Sequence, residues 1–340
     1  IALYFLNSGH LALSEKVGRF SVGMMKLMGP VSLEAAFAVG LLSEIMRARS
    51  KYKEAHSLAA ESLDICERHR EMSGLRPTTE EEDRLAKVIS EFKKNDFTEP
   101  MCRETLASIL CDYGRYTDAL KESKKAVEAF YKTIKEAEST EFSQKGSVGS
   151  GMGLTASGAD LALVAAKQTN KGQATDQIRA MKNATASCLQ VQGRIYNQLQ
   201  MLDEAESVLK KALKIRQEVT QSPPWYAAAV LSELAQTYYL NNHFEESKQA
   251  VNQALGLIES QTNRDSELVL ADLFVSQSKL LLNAGSKSTE EKLNEALKLQ
   301  QKWLGEDHLD IAETLMYLGS SANGKESFLS PEITIGGHRK

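Results

Sequence analysis

Small residues keep time along this chain. Ala205 with Ala212, Ser247 with Ala254, and Thr289 with Ala296 form three pairs. The members of each pair lie 7 apart, about two helical turns, so both point to one face. The pairs recur every 42 positions. A fixed period of this size marks an array of helical repeats. Within each period the apolar pattern predicts two helices, A and B, joined by a short turn. In the first unit, helix A carries Leu189, Gly193 and Tyr196, the turn lies near Gln200, and helix B runs from Leu202 to Leu213. The second unit repeats this with Leu231, Ala235 and Tyr238, a turn at Asn241-Asn242, and Phe244 to Leu255. The third has Leu273, Gln277 and Leu280, a turn at Ala284-Gly285, and Thr289 to Leu297.

Two earlier units match at looser spacing. One has Leu106, Ala107 and Leu110, a turn at Gly114, then Tyr116, Ala119 and Ala126. The other has Leu42, Ser43 and Met46, a turn at Ser50, then Tyr52, Ala55 and Ser62. Residues 10–29 read as a further helix B with Ser14 and Ser21 as its small pair, its helix A beginning before residue 1. Antiparallel helices joined by a short turn pack with axes about 8–10 Å apart, and a small side chain at the crossing permits this.

Three stretches break the rhythm. Ala55 and Ala119 are 64 apart, and the excess suits an extended connection plus a helix near Glu80–Lys94, capped by Thr79 with Glu82 completing a capping box. Ala119 and Ala205 are 86 apart, close to two periods, yet no second unit shows between them. Residues 139–174 are rich in Gly, Ser and Thr, with 143–158 read as a loop or linker and 159–168 as a short helix; a degenerate repeat is the competing reading. Residues 311–319 start another helix A, with Leu315 and Leu318, suited to capping the last hairpin. Pro331, Gly336 and Gly337 then deny a helix B. The organisation expected is helical hairpins over 1–138, an insert at 139–174, a second array over 175–319 and an irregular tail at 320–340.

This arrangement resembles the tetratricopeptide repeat family. Tyr116-Thr117-Asp118-Ala119 and Leu202-Asp203-Glu204-Ala205 look like its helix B opening, and Gly193 with Tyr196 like its helix A signature. The period of 42, and the segment Leu304-Gly305-Glu306-Asp307-His308-Leu309-Asp310-Ile311-Ala312, are similar to the long variant found in kinesin light chains. The resemblance implies an all-α, right-handed solenoid of about five to six hairpins, non-enzymatic, acting as a protein-interaction scaffold or adaptor. It also implies that helix A lines the concave face. The groove candidates are then Glu44, Arg47, Glu104, Ser108, Gln190, Arg194, Asn197, Ser232, Gln236, Tyr239, Phe274 and Ser278. Amides in the central units suit hydrogen bonding to an extended peptide backbone, because each offers both donors and an acceptor. Family members that bind acidic chaperone tails use a Lys/Asn set that is absent here, where Glu44, Ser108, Arg194, Gln236 and Ser278 stand at the relevant positions. A second reading is a structural or assembly subunit of a larger complex, possible also in an organelle.

Composition narrows the rest. The chain has 340 residues, 6 Pro and a formal charge of −4, with acids and bases interspersed. That composition is helical, and the charge argues against bulk electrostatic attachment to nucleic acid or membrane. No apolar run reaches 18 residues, so no membrane span is expected. Cys66, Cys102, Cys111 and Cys188 form no CxxC pair and read as thiols of the cytoplasm or another reducing compartment. The sequence starts at Ile1 rather than Met, which leaves room for a mitochondrial or plastid targeting segment upstream. Gly151-Met152-Gly153-Leu154-Thr155-Ala156 fits G-x-G-x-x-A, which would make the chain nucleotide-regulated, but it lacks the strand a dinucleotide site needs. The six histidines are scattered without metal spacing, and no catalytic set of acids or bases is expected, so no cofactor or metal is assigned. Asn183-Ala184-Thr185 is a glycosylation sequon that falls within a helical pattern.

Overall fold

A computed structural model describes residues 1–73, 98–146, 158–219, 222–258, 262–283 and 288–322. Among these residues there are 13 helices and no strand. They pair in chain order. Helix α1 (Ala2–Asn7) packs on α2 (Leu11–Met28), α3 (Leu33–Ala48) on α4 (Tyr52–Ser73), and α5 (Thr98–Asp112) on α6 (Tyr116–Gly146). Helix α7 (Gly158–Gln198) packs on α8 (Leu202–Glu218), α9 (Pro224–Leu240) on α10 (Phe244–Ile258), and α11 (Arg264–Asn283) on α12 (Thr289–Trp303). Helix α13 (Leu309–Ala322) caps the last pair. From α3 onward, each helix A also touches the next helix A, while each helix B packs chiefly on its partner and the following A. The result is an α-solenoid with an inner layer of A helices and an outer layer of B helices.

The time-keeping residues sit where the helices cross. Ala55, Ala119, Ala126, Ala205, Ala212, Ser247, Ala254, Thr289 and Ala296 are all at most 2% exposed. A Cβ added to Gly193 would lie 2.4 Å from Leu209 Cγ, so the first full unit depends on having no side chain there. Where the small residue is Ser, its hydroxyl is put to use. Ser14 Oγ donates to Ala2 O and Ser247 Oγ to Ala235 O, both at 2.8 Å, which satisfies the hydroxyl inside a dry contact. In α2 the inward positions are Ser14, Gly18 and Val22, so Ser21, expected as the second small contact, is only half-buried.

The turns share one geometry. Ser50, Gln200 and Asn242 adopt φ of 60°, 58° and 59°, and Gly9 and Gly114 adopt 79° and 75°. Each is followed by the pair of backbone bonds that closes a helix end. Gln200 N donates to Asn197 O at 3.1 Å and Met201 N to Tyr196 O at 2.9 Å, and Asn242 and His243 repeat this on Tyr239 and Tyr238. The turn expected at Ala284-Gly285 lies outside the described residues.

The break between Ala119 and Ala205 has a simple form. Helix α6 has 31 residues and α7 has 41, against 15 to 17 for α8, α9 and α10. Two lengthened helices thus absorb the additional period, and their extended arms meet at Ile134, Ile178 and Met181. Helix covers 139–146 and 158–174 of the expected insert, including the stretch 159–168 read as a short helix. Residues 147–157, with the glycine motif at 151–156, lie outside the described residues, as do the expected helix near Glu80–Lys94 and the tail from 323.

The array curves far enough to meet itself. Gly305 N donates to Ala48 O at 3.2 Å, and Leu309 N approaches the Tyr52 hydroxyl at 3.5 Å. A Cβ on Gly305 would lie 3.4 Å from the Arg49 backbone, and one on Gly9 would lie 3.2 Å from the Trp303 ring. The connection between α12 and α13 is therefore seated on the α3–α4 turn.

Two outcomes follow from these contacts. Gly193→Ala and Gly114→Ala separate steric from conformational cost. At Gly193 the clash with buried Leu209 opposes a helix-propensity gain of about 1 kcal/mol, giving a net loss of about 1–2 kcal/mol. At Gly114 the space is open, and the left-handed φ alone costs about 1–2 kcal/mol. Urea melts of both variants measure this, and a Gly193→Ala variant as stable as the parent contradicts the close crossing. Separately, Gly305→Val wedges the closure, and small-angle scattering should show a larger radius of gyration at unchanged helix content. An unchanged radius means that the contact does not hold the two ends together.

Candidate functional site

The inner layer positions the candidate residues by register. The small residue of each helix A (Ser43, Ala107, Gly193, Ala235) faces helix B, and its successor (Glu44, Ser108, Arg194, Gln236) turns toward the concave side. The next residue on that stripe, one turn on, is Arg47, Cys111, Asn197 or Tyr239. In the following unit the register slips by one. Ser278 is fully buried, and its hydroxyl reaches Phe274 O at 2.7 Å and Thr289 O at 3.4 Å, so it occupies the crossing position. Phe274 packs beside Ala271, Val275 and Leu293, under the Lys292 ammonium, so it too belongs to the hairpin interior. Lys279 takes the concave place instead, with Nζ 3.0 Å from Gln236 Oε1.

The first group of candidates forms one charged cluster. Arg47 Nε donates to Asp112 Oδ2 at 2.5 Å, and Glu44 lies 3.4 Å from Arg47 Nη1. Arg194 Nη2 is 3.7 Å from Asp112 Oδ1, so one carboxylate bridges cations from α3 and α7. Burial alone would push the Asp112 carboxyl up, but the two guanidinium groups outweigh it and hold it below its ordinary value. Burial likewise disfavours the charge on Arg47 and Arg194, yet Asp112 beside both keeps them firmly protonated. Asp112 was not a sequence candidate, because it is the last residue of α5 and lies off the repeating stripe.

A second group surrounds Gln236. Lys279 Nζ is 2.9 Å from Glu313 Oε1 and 5.0 Å from the centre of the Tyr317 ring. Its protonated form is retained despite burial because Glu313 faces it. Glu233, Asp272 and Asp310 stand around this pair. Although Asp272 is exposed and Glu233 and Asp310 are half-buried, the surrounding helices limit the water around each carboxyl and raise it. Neighbouring acids raise Glu233 and Asp272 further, Asp112 raises Asp310, and Arg194 opposes the rise in all three. His308 is held below its ordinary value, chiefly by burial and also by Arg47 nearby, although Asp310 opposes this.

The remaining candidates divide. Asn197 is 3% exposed and neither side-chain amide atom has a hydrogen-bond partner. Ser108 and Ser232 are buried, at 7% and 8% exposure. Gln190 and Tyr239 are half-buried, and the Tyr239 ring meets Phe244 edge-on at 5.7 Å. Glu104 is crowded against Cys188, Arg216 and Glu44. The sequon has a packing role, since Asn183 Oδ1 accepts from Arg216 at 2.8 Å and Thr185 is fully buried. Among the described residues, no group of three or more His, Cys, Asp or Glu could hold a metal ion. None of the described helices is long and apolar enough to cross a membrane.

Glu104 supplies a pH test. Burial first, then the Glu44 charge, lift its carboxyl from 4.5 to about 8. A carboxyl raised in the folded state binds its proton more tightly there than in the unfolded chain. Its contribution is therefore fully present below 4.5 and is lost as pH rises toward 8. Glu104→Gln should be more stable than the parent at the top of that window, with the advantage shrinking near its bottom. Thermal melts across the window measure it, and a constant difference between the two proteins rules the assignment out.

Residues 184–260 match the tetratricopeptide repeat family. That span runs from the second half of α7 through α10. No curated protein matches the chain. Among solved structures, the chain is similar to the assembly chaperone of RpL4, Acl4 (residues 1–338), with 16% identity, 95% of this chain and 93% of that one covered, and a TM-score of 0.47. A Rap protein complexed with competence and sporulation factor has 14% identity, 95% and 72% coverage, and a TM-score of 0.49. The APC/C hetero-tetramer Cut9–Hcn1 has 11% identity, 93% and 48% coverage, and a TM-score of 0.37. The fold assignment rests on the sequence match and on hairpins that repeat its crossing and turn geometry outside the matched span. The chain is an α-helical-repeat protein whose residues 184–260 match the tetratricopeptide repeat family.

Proposed function

We propose that this protein is a non-enzymatic scaffold that holds an extended segment of a partner protein along its concave face. The observation that carries this reading is Asn197. A buried side-chain amide with no partner costs about 1–3 kcal/mol, and proteins seldom keep one without a use. Asn197 stands on the same stripe as Arg194, whose Nε is also buried without an acceptor. An extended backbone offers what both lack, an N–H and a C=O at each residue. Gln236 lies one unit further along with an amide of its own. A reducing compartment suits this protein, whose four cysteines are all buried.

Crosslinking mass spectrometry from the native source identifies the partner and the face it uses. Asn197→Ala combined with Gln236→Ala should then weaken that partner's affinity about tenfold or more, while the melting temperature stays within a few degrees of the parent. The two changes leave net charge untouched, and because Gln236 Oε1 also holds Lys279 Nζ at 3.0 Å, Asn197→Ala measured by itself separates backbone hydrogen bonding from the loss of that contact. Crosslinks confined to the outer B helices, or an unchanged affinity, would defeat this assignment and favour a subunit packed through its convex side.

A further inference from the structure

The inner wall holds carboxylates that its own cations do not match. Lys279 is committed to Glu313 at 2.9 Å and to Gln236 at 3.0 Å. Arg194 is shared with Asp112 at 3.7 Å, and Asp112 is already paired with Arg47 at 2.5 Å. Among the described residues, Asp310 pairs directly with the buried His308 ring alone, at 3.4 Å, with Arg194 and Arg47 acting on it from further off. Among the described residues, Glu233 on α9 and Asp272 on α11 take part in no salt bridge; Arg194 acts on both from a distance and Lys279 on Glu233, while Asp310 and Glu313 of α13 repel both. Both stay reachable, since Asp272 is exposed and Glu233 half-buried. An uncompensated negative wall favours a cation and repels a phosphate or an acidic peptide. Lys279 shows how this wall takes an ammonium, with an amide oxygen on one side and a carboxylate on the other.

Asn197 is an independent observation. It is 3% exposed, unpartnered, and lies one turn beyond Arg194 on the concave stripe. Its amide calls for a peptide group rather than a bare ion. The spacing fits a chain that crosses the helices. Helices α9 and α11 are neighbours in the inner layer, and packed helices lie about 8–10 Å apart. Alternate side chains of an extended strand lie about 7 Å apart on one side. Cationic residues at alternate positions therefore reach Glu233 and Asp272 without a bend.

We propose that the concavity receives a Lys- or Arg-bearing extended segment of the partner, its cations set against Glu233 and Asp272 and its backbone against the Asn197 amide; this deepens the concave-face reading and rests on it. Long-range attraction brings the segment in, and the amide fixes its register.

The test uses the full chain and fluorescein-labelled peptides of about 12 residues, long enough to span about 40 Å when extended. One alternates Lys with Ser, one Gln with Ser, and one Glu with Ser. Fluorescence anisotropy should show the Lys peptide binding tightest, with its advantage shrinking as salt rises. Glu233→Gln with Asp272→Asn should weaken the Lys peptide about tenfold. These isosteric changes relieve repulsion between crowded acids, so the fold is kept. Glu245→Gln with Glu246→Gln alters net charge equally at exposed positions on the outer helix α10 and should leave binding nearly unchanged. The inference is overturned if the Lys peptide binds no tighter than the Gln peptide, or if the outer pair costs as much as the inner pair. Tightest binding by the Gln or Glu peptide, still weakened by Asn197→Ala, overturns the charge assignment and leaves the concave-face reading standing. Insensitivity of every peptide to every inner substitution removes both.

Discussion

The close crossing of helix A over helix B is the contact on which the rest depends. At Gly193 the neighbouring leucine already occupies the space a methyl group would need. At Ala205, Ala235 and Ala254 the side chain is the smallest that still fills the gap, and each is fully buried. Close packing lets the apolar faces of two short helices bury each other, and most of a helix's stability in a protein comes from such a face. Stacking of hairpins then buries what one pair leaves open, so each unit is stable only beside its neighbours. The left-handed turns serve the same contact, because they end helix A where helix B must begin its return.

Once the crossings are fixed, the inner layer has little freedom. Its A helices touch one another directly, and their polar stripe lines a concavity that the α12–α13 connection meets from the far end. Charges brought together there lose water and must find each other. Asp112 between Arg47 and Arg194 succeeds, and Lys279 between Gln236 and Glu313 does as well. Asn197, Glu233 and Asp272 do not. Buried polar groups left incomplete are a cost to folding, and the Asn197 amide and the Arg194 Nε are two of them on the inner stripe.

The sequence made much of this legible. The residues at the crossings announce themselves by spacing, and Ser50, Gly114, Gln200 and Asn242 mark turns that do adopt positive φ. Arg47, Arg194 and Gln236 fall on the inner stripe because a helix fixes which residues share a face. Phe274 and Ser278 were misassigned for the same reason. Counting by 42 from Gln236 lands on Ser278, but the helix there is rotated by one residue and presents Lys279. Periodicity counts residues, whereas packing responds to the length of the turn between helices. The interval from Ala119 to Ala205 misled in a similar way, since a helix lengthened by a period and a degenerate unit carry the same count of residues.

Local pattern alone determined the helices, their pairing and their crossing points, because each depends on residues within one hairpin. Tertiary structure decided which charges meet. Asp112 bridges helices from different units, and Gly305 reaches Ala48 from more than two hundred and fifty positions away. Those encounters depend on curvature, which accumulates from small rotations between successive units and leaves no mark on any single stretch of chain. The sequence could name the inner stripe, but only the folded array could show which of its members remain without a partner.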